Sequence, residues 1–160
     1  MPGIRAIALD VDGVLTDGGF WWGPAGEEFK RFSFLDVMGI ARGTRAGLVF
    51  ALISGEDSPL VDRFAAKLSI QHVYKGCKDK GEALRRFAAA VQLPLSAIAF
   101  MGDDVNDFGA MEIAGLAAAP GSARDEVRAR AGYVAPRSGG DGAVRELIEH
   151  ILAPGALERT

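Results

Sequence analysis

Short apolar runs alternate along the chain with segments in which apolar residues recur every three or four positions. The runs Ile4–Leu9, Leu48–Ile53, Val73–Tyr74, Ile98–Met101, Leu116–Ala118 and Tyr133–Val134 lack strict apolar/polar alternation, as strands buried on both faces do. Between them, Val61, Phe64, Ala65 and Leu68 keep the helical spacing i, i+3, i+4, i+7. Ser58 stands ahead of them as an N-cap and Pro59 as a first-turn proline. Leu84, Phe87, Ala88 and Val91 repeat the spacing behind Asp79, and Val144, Leu147, Ile148, Ile151 and Leu152 repeat it near the C-terminus. Strand-like and helix-like segments in alternation predict an α/β domain, a central parallel sheet with helices on both faces.

One stretch breaks the alternation. Gly18 to Phe34 reads as a β-hairpin inserted after the first strand, with Gly23-Pro24-Ala25-Gly26 turning Gly19–Trp22 back onto Glu27–Ser33. Phe20, Trp21, Trp22, Phe29, Phe32 and Phe34 lie within it, six of the thirteen aromatic residues of the chain. That is more apolar surface than a two-stranded excursion leaves in water. Either the hairpin folds back on its own domain or it packs against other subunits.

A length of 160 residues predicts one domain over 1–160, with 18–34 as the hairpin and 154–160 as a frayed tail. Hydrophobic residues make up 49% of it, enough to fill a core without staples. The single Cys77 forms no internal disulfide and has no neighbouring His to activate it. The apolar run Ala46–Gly55 is half the length of a membrane helix, and Asp10 interrupts Ile7-Ala8-Leu9 before a signal sequence is complete. These features predict a cytoplasmic protein with no membrane contact. Eighteen basic against 21 acidic residues, without a basic block, argue against a nucleic-acid partner. His72 and His150 stand far apart with no Cys at zinc spacing. Glycine is in excess, at 21 residues, and the excess serves turns or backbone approach to a ligand.

The chemistry concentrates at strand ends. Asp10-Val11-Asp12-Gly13-Val14-Leu15-Thr16-Asp17 follows directly on the first strand, where ligands bind in open α/β sheets. A calcium loop is excluded, because Val14, Leu15 and Trp21 occupy positions that demand oxygen, Gly and Glu. A second acidic cluster, Gly102-Asp103-Asp104-Val105-Asn106-Asp107, follows Ile98–Met101 in the same way. Carboxylates that converge from two strand ends repel and raise one another's pKa unless a hard divalent cation joins them. Ser54-Gly55 ends a third strand with a hydroxyl and open N–H groups suited to phosphate oxygens, and Lys80 opens the next helix with a positive charge. Each of these has a bland alternative: a helix cap, a turn, a surface lysine. Their order along the chain is what carries information.

In that order the elements resemble the haloacid dehalogenase superfamily of aspartate-nucleophile phosphatases, with its D-x-D strand end, Ser/Thr strand end, Lys and acidic G-D-D-x-x-D. More narrowly, D-V-D-G-V-L-T-D-G from Asp10, the aromatic hairpin, F-S-x-x-D-x-x-G-I at Phe32–Ile40 and G-G-x-G-A-V-R-E at Gly139–Glu146 look like 3-deoxy-octulosonate 8-phosphate phosphatases. That group shares its pattern with nonulosonate 9-phosphate phosphatases and with domains fused to sialic acid cytidylyltransferases. The resemblance implies a Rossmann-like three-layer sandwich acting on a phosphorylated sugar acid. Asp10 would be the nucleophile, Asp12 the general acid and base, and Ser54 and Lys80 the groups that steady the phosphate. Mg²⁺ would be held by the Asp10 carboxylate, the Asp12 carbonyl and Asp103, with Asp104 and Asp107 behind them. Gly13, Ser33, Asp36, Gly55, Glu56, Lys67 and Arg137 would contact the substrate.

The spacings leave no room for a cap domain. Asp12 to Ser54 holds only a hairpin, a helix and a strand, and Ser54 to Lys80 a helix and a short strand. The resemblance therefore implies a capless enzyme, a homotetramer whose Gly-rich tail, with Arg137, reaches an adjacent active site. The octulosonate branch usually reads T-G-R at the second motif and places Arg before the Asp after the hairpin. This chain has Ser54-Gly55-Glu56 and Leu35 there. Glu56 with Lys67 looks more like the nonulosonate branch, while as bare residues both are equally surface charges. Two rivals differ in class. A receiver-type switch places its acidic pair first and its Lys last, unlike this chain, and a non-catalytic assembly module has no need of Asp12 or Lys80.

Overall fold

A computed structural model describes residues 3–154. The expected tail lies outside the described residues from position 155 onward. Six parallel strands form one sheet in the order β5-β4-β1-β6-β7-β8: β1 (Ala6–Leu9), β4 (Val49–Ile53), β5 (His72–Tyr74), β6 (Ile98–Met101), β7 (Leu116–Ala119) and β8 (Tyr133–Val134). The antiparallel pair β2 (Trp21–Trp22) and β3 (Glu28–Phe29) stands apart from it.

Alternate residues of the central strands point to opposite faces, and each face has its own core. Ile7 and Leu9 of β1, Phe50 and Leu52 of β4 and Met101 of β6 meet α1 (Phe34–Arg45), α2 (Pro59–Lys67) and α6 (Ala143–Leu152). Ala6 and Ala8, Ala51 and Ile53, and Ile98 and Phe100 meet α3 (Lys80–Val91), α4 (Phe108–Met111) and α5 (Asp125–Arg130). The strands lack alternation because both faces are apolar. A ten-residue helix such as α6 is marginal alone. Its buried stripe Val144, Leu147, Ile148 and Ile151 supplies the missing stability, at about 1.5–3 kcal/mol for each side chain removed from water. Gly39 lets α6 approach α1, since a Cβ there would stand 2.8 Å from the Arg145 Cα.

The expected elements are present with shifted ends. β1 begins at Ala6 rather than Ile4, and β4 at Val49 rather than Leu48. The hairpin is shorter than expected, pairing only Trp21 with Phe29 and Trp22 with Glu28. Beyond Phe29 the chain leaves the ladder because its side chains are anchored elsewhere: Lys30 on Asp12, Arg31 on the Gly140 carbonyl, Phe32 stacked on Phe64. Phe34 belongs to α1, whose N-cap is Ser33. Folding back therefore holds for Phe32 alone. Phe20, Trp21, Trp22 and Phe29 remain 50%, 60%, 71% and 53% exposed.

β1 has β4 on one side and β6 on the other, with Leu9 level with both Leu52 and Met101. The chain winds from β1 toward β5, then crosses to β6 and winds the other way. The loops after β1 and β6 part at this reversal and open a crevice, the ligand position of doubly wound sheets.

Candidate active site

The crevice is a pocket of about 430 Å³ whose wall includes Asp10, Asp12, Glu56, Lys80, Asp103 and Asn106. Asp10 leaves the end of β1, and its Oδ1 accepts hydrogen bonds from the Val11 N–H at 2.8 Å and Lys80 Nζ at 2.9 Å. Lys80, 3% exposed, also donates to Asp107 Oδ1 at 2.7 Å. The other oxygen of Asp107 accepts the N–H groups of Asp103 at 2.8 Å and Asp104 at 3.2 Å. Asp107 thus fastens the loop after β6 to the loop after β1 through one ammonium.

Three carboxylates share this space. Asp10, Asp103 and Asp107 each present an oxygen within 4.8 Å of the others. Burial, then the charge of Asp107, raises Asp10 well above the usual carboxylate range, against the pull of Lys80. Asp103 is pushed up to about 6, by burial first and by Asp107 as well, while a hydrogen bond with Asp10 works the other way. Burial disfavours the Lys80 ammonium, but Asp10 and Asp107 outweigh it and raise its pKa. Hard oxygen donors at this spacing, two of them reluctant to ionise unaided, fit a small divalent cation.

The loop after β1 is wound tightly around the pocket. Val14, Leu15 and Thr16 all donate to the Val11 carbonyl, and buried Thr16 Oγ1 accepts from Gly13 at 3.3 Å and Gly18 at 3.2 Å. Gly13 has φ +85°, and a Cβ on it would run into the Asp103 carboxylate. Only glycine lets this backbone and that carboxylate coexist. Asp104 caps the turn at Val105–Asp107 and lines the pocket rim.

The structure brings together Asp10, Asp12, Gly13, Gly55, Glu56, Lys80, Asp103, Asp104 and Asp107. Ser54 is buried directly after β4, its Oγ accepting the Glu56 N–H at 3.1 Å, a contact that shapes the turn at the pocket wall. Ser33, Asp36, Lys67 and Arg137 stand outside the acidic pocket of their own chain. Ser33 Oγ caps α1 at the Leu35 N–H, and buried Asp36 accepts the Arg145 N–H at 3.1 Å at the start of α6. Lys67 lines a neighbouring groove with Lys30, Phe32, Arg63 and Phe64. Arg137 faces Glu146 and Asp141 in a cleft beside α6.

Sequence reasoning missed Lys30, whose Nζ lies 2.8 Å from Asp12 Oδ1, along with Thr16 and Asn106. A lysine inside an aromatic run was a signal for the first. The hydroxyl two residues before Gly18 was a signal for the second. Among the described residues no helix is long and apolar enough to cross a membrane.

Residues 46–147 match the family of haloacid dehalogenase-like hydrolases. The 3-deoxy-D-manno-octulosonate 8-phosphate phosphatase KdsC of Escherichia coli K12 is 38% identical over 156 residues, which is 97% of this chain and 83% of that relative. The crystal structure of the Moraxella catarrhalis 3-deoxy-D-manno-octulosonate 8-phosphate phosphatase, in complex with magnesium ion, phosphate ion and KDO, has a TM-score of 0.90 at 37% identity. It covers 93% of this chain and 86% of its own. A probable YrbI family phosphatase from Pseudomonas syringae has a TM-score of 0.92 at 39% identity over 98% of this chain and 90% of its own.

Fold and site together define a Rossmann-like α/β domain with an acidic centre at the switch point of a parallel sheet. The chain belongs to the haloacid dehalogenase-like hydrolases, within the capless group that includes the octulosonate 8-phosphate phosphatases.

Proposed function

We propose that this phosphoric monoester hydrolase removes the phosphate of a 2-keto-3-deoxy sugar acid through an aspartyl-phosphate on Asp10. The observation that carries the reading is the Asp10 carboxylate, held 2.9 Å from a buried ammonium beside Asp103 at the end of β1. Asp10 attacks phosphorus, and the ester P–O bond breaks with its electron pair on the sugar oxygen, which takes a proton from Asp12. A water then gives its proton to Asp12 and attacks the same phosphorus. Inorganic phosphate leaves, the Asp10 carboxylate is restored, and Asp12 is again protonated.

Asp10 and Asp103 would hold Mg²⁺, with the Asp12 carbonyl as a third ligand and Asp104 and Asp107 orienting the set. The bound ion supplies charge neutralisation at the phosphate oxygens. Lys80 reduces the remaining repulsion as one anion approaches another. Ser54 and Gly55 shape the turn at the phosphate side.

The named relatives support the eight-carbon octulosonate 8-phosphate as substrate. A second reading, a nonulosonate 9-phosphate, is favoured by one observation: Glu56 lines the pocket where the octulosonate branch usually carries a guanidinium. A carboxylate there accepts hydrogen bonds from sugar hydroxyls instead of pairing with an anion. The exposed hairpin aromatics favour a homotetramer, in which Ser33, Asp36, Lys67 or Arg137 would act from a neighbouring subunit or support the fold. The lone Cys77 suits the cytoplasm.

Ranking kcat/KM over octulosonate 8-phosphate, nonulosonate 9-phosphates and hexose phosphates, with Mg²⁺ present, tests the substrate. A hexose phosphate at the top would overturn the sugar-acid assignment. Asp10→Asn should abolish turnover and any acid-stable phosphate label, and retained turnover would remove the covalent route.

A further inference from the structure

Asp12 differs from Asp10 and Asp107 in how it is held. Asp10 and Asp107 are each fixed by Lys80 and by backbone N–H groups. Among the described residues the Asp12 carboxylate accepts from Lys30 alone, at 2.8 Å. The Lys30 side chain is 4% exposed, whereas Asp12 and Glu28, 3.9 Å on its other side, are 33% and 35% exposed. A lysine is seldom buried this far without a partner, so the contact with Asp12 is part of the reason it sits there.

Lys30 also belongs to the hairpin. It directly follows β3, and Glu28 accepts the Trp22 indole N–H at 3.2 Å. A chain of polar contacts therefore runs from Trp22 through Glu28 and Lys30 to Asp12. The next two residues anchor the same strand, Arg31 to the Gly140 carbonyl at 3.0 Å and Phe32 on Phe64 at 4.5 Å. Lys30 is thus presented to Asp12 from a segment fixed on both sides of it.

We propose that Lys30 is a positioning residue for the acid–base step, holding the Asp12 carboxylate in one orientation at the pocket. The proposal rests on the reading of Asp12 as acid and base. An aspartate side chain released from its one partner redistributes among three staggered χ1 wells, which alone lowers the productive fraction about threefold. The ceiling is removal of the acid, about 10²- to 10⁴-fold. Loss of Lys30 should fall between, at about 10- to 100-fold for a substrate whose leaving group needs a proton.

The test compares wild type, Lys30→Met, Lys30→Arg and Asp12→Asn on aryl phosphates whose phenols span a wide range of acidity, read as kcat/KM. That ratio covers phosphoryl transfer to Asp10 and excludes the later hydrolysis. Lys30→Met should lose about 10-fold or more on the most basic phenol and several-fold less on the most acidic. Asp12→Asn should show the same trend more steeply, and Lys30→Arg should restore much of the loss. Equal losses of Lys30→Met across the series, with Asp12→Asn still graded, would overturn the positioning role and leave the acid role standing. A flat loss in Asp12→Asn would overturn the acid role itself, and the proposal with it. Should Lys30→Met not fold, Lys30→Gln, which removes the charge but keeps an amide NH₂, carries the same comparison.

Discussion

Lys80→Met is expected to cost stability before it costs chemistry. Its ammonium lies 2.9 Å from Asp10 and 2.7 Å from Asp107, and its side chain and theirs are 2%, 7% and 0% exposed. Methionine fills similar volume and removes the charge. The two carboxylates are then buried without compensation, with Asp103 close by. Removing one partner of a buried pair costs about 3–5 kcal/mol. For a domain of this size each kcal/mol moves Tm by about 2–4 °C, so the variant should melt about 6–20 °C lower at pH 7.5. The deficit should depend on charge. An acid whose folded pKa is raised stabilises the fold fully below its unfolded value, and that gain is lost as pH rises through the folded value. Asp10 and Asp103 are both raised already, so the deficit should be small near pH 4 and grow as pH climbs past about 6. Millimolar Mg²⁺ should narrow it, because a cation replaces the missing charge. Thermal melts of both proteins over a pH series, with and without Mg²⁺, measure all of this. A deficit that ignores both pH and Mg²⁺ would refute the electrostatic account and point to methionine packing. No deficit at pH 7.5 would show that the ammonium does not compensate these acids.

Asp36 is pushed from 3.8 to about 6, by burial above all, against the backbone N–H groups of Arg145, Gly142 and Val144. Its contribution is therefore favourable below pH 4 and is lost as pH rises through about 6, and relative to Asp36→Asn the wild type should lose about 3 kcal/mol across that window. Chemical denaturation of both proteins at pH 4 and pH 7 checks this, and a constant difference would show that Asp36 does not titrate there. Gly13→Ala should abolish Mg²⁺-dependent phosphatase activity, since φ +85° and the Asp103 carboxylate leave no room for a Cβ; full activity would mean that the loop after β1 moves freely. Replacing Trp21 and Trp22 together by Ser should dissociate the proposed tetramer, each large aromatic anchor being worth about 2 kcal/mol or more, and light scattering reads the mass. A wild type that scatters as a monomer at micromolar concentration would remove the assembly altogether.

The sequence was most readable where chemistry and local structure coincide. Asp10 and Asp103 each follow an apolar strand, and a parallel sheet brings strand ends to one level, so their convergence follows from the pattern of the sequence. Ser58, Pro59 and Asp79 announced two helices through caps that are local by nature. Long-range polar pairs were not readable. Asp36 meets the Arg145 N–H 109 residues away, and nothing within Phe32–Ile40 distinguishes a carboxylate that caps α6 from one that meets a sugar. Lys67 and Arg137 fall in separate clefts for the same reason: the direction of the first depends on the rotation of α2 about the core, and that of the second on the path of the loop between β8 and α6. The hairpin was readable as aromatic, but its short ladder depends on anchors at Asp12, Gly140 and Phe64, which only the tertiary structure supplies.

The arrangement of charge explains why the site can be rigid and still require a cation. Asp107 spends one oxygen on Lys80 and the other on the N–H groups of Asp103 and Asp104, so the loop after β6 is braced by groups of this chain. Asp10 is braced the same way, by Lys80 and the Val11 N–H, both on Oδ1. The folded chain therefore holds the positions of Asp10 and of its second acidic loop without help. Yet with Asp10, Asp103 and Asp107 ionised against one ammonium the cluster carries a net charge of −2, which repels a phosphate dianion. The raised acids can relieve that charge by taking protons, which would cost the proposed nucleophile its anionic form, or by taking a divalent cation, which leaves it ionised. On this account the cation serves the reaction more than the fold. Among the described carboxylates of the pocket Asp12 is the one held from the hairpin, so a change in the hairpin's surroundings would reach the proposed acid–base step there first.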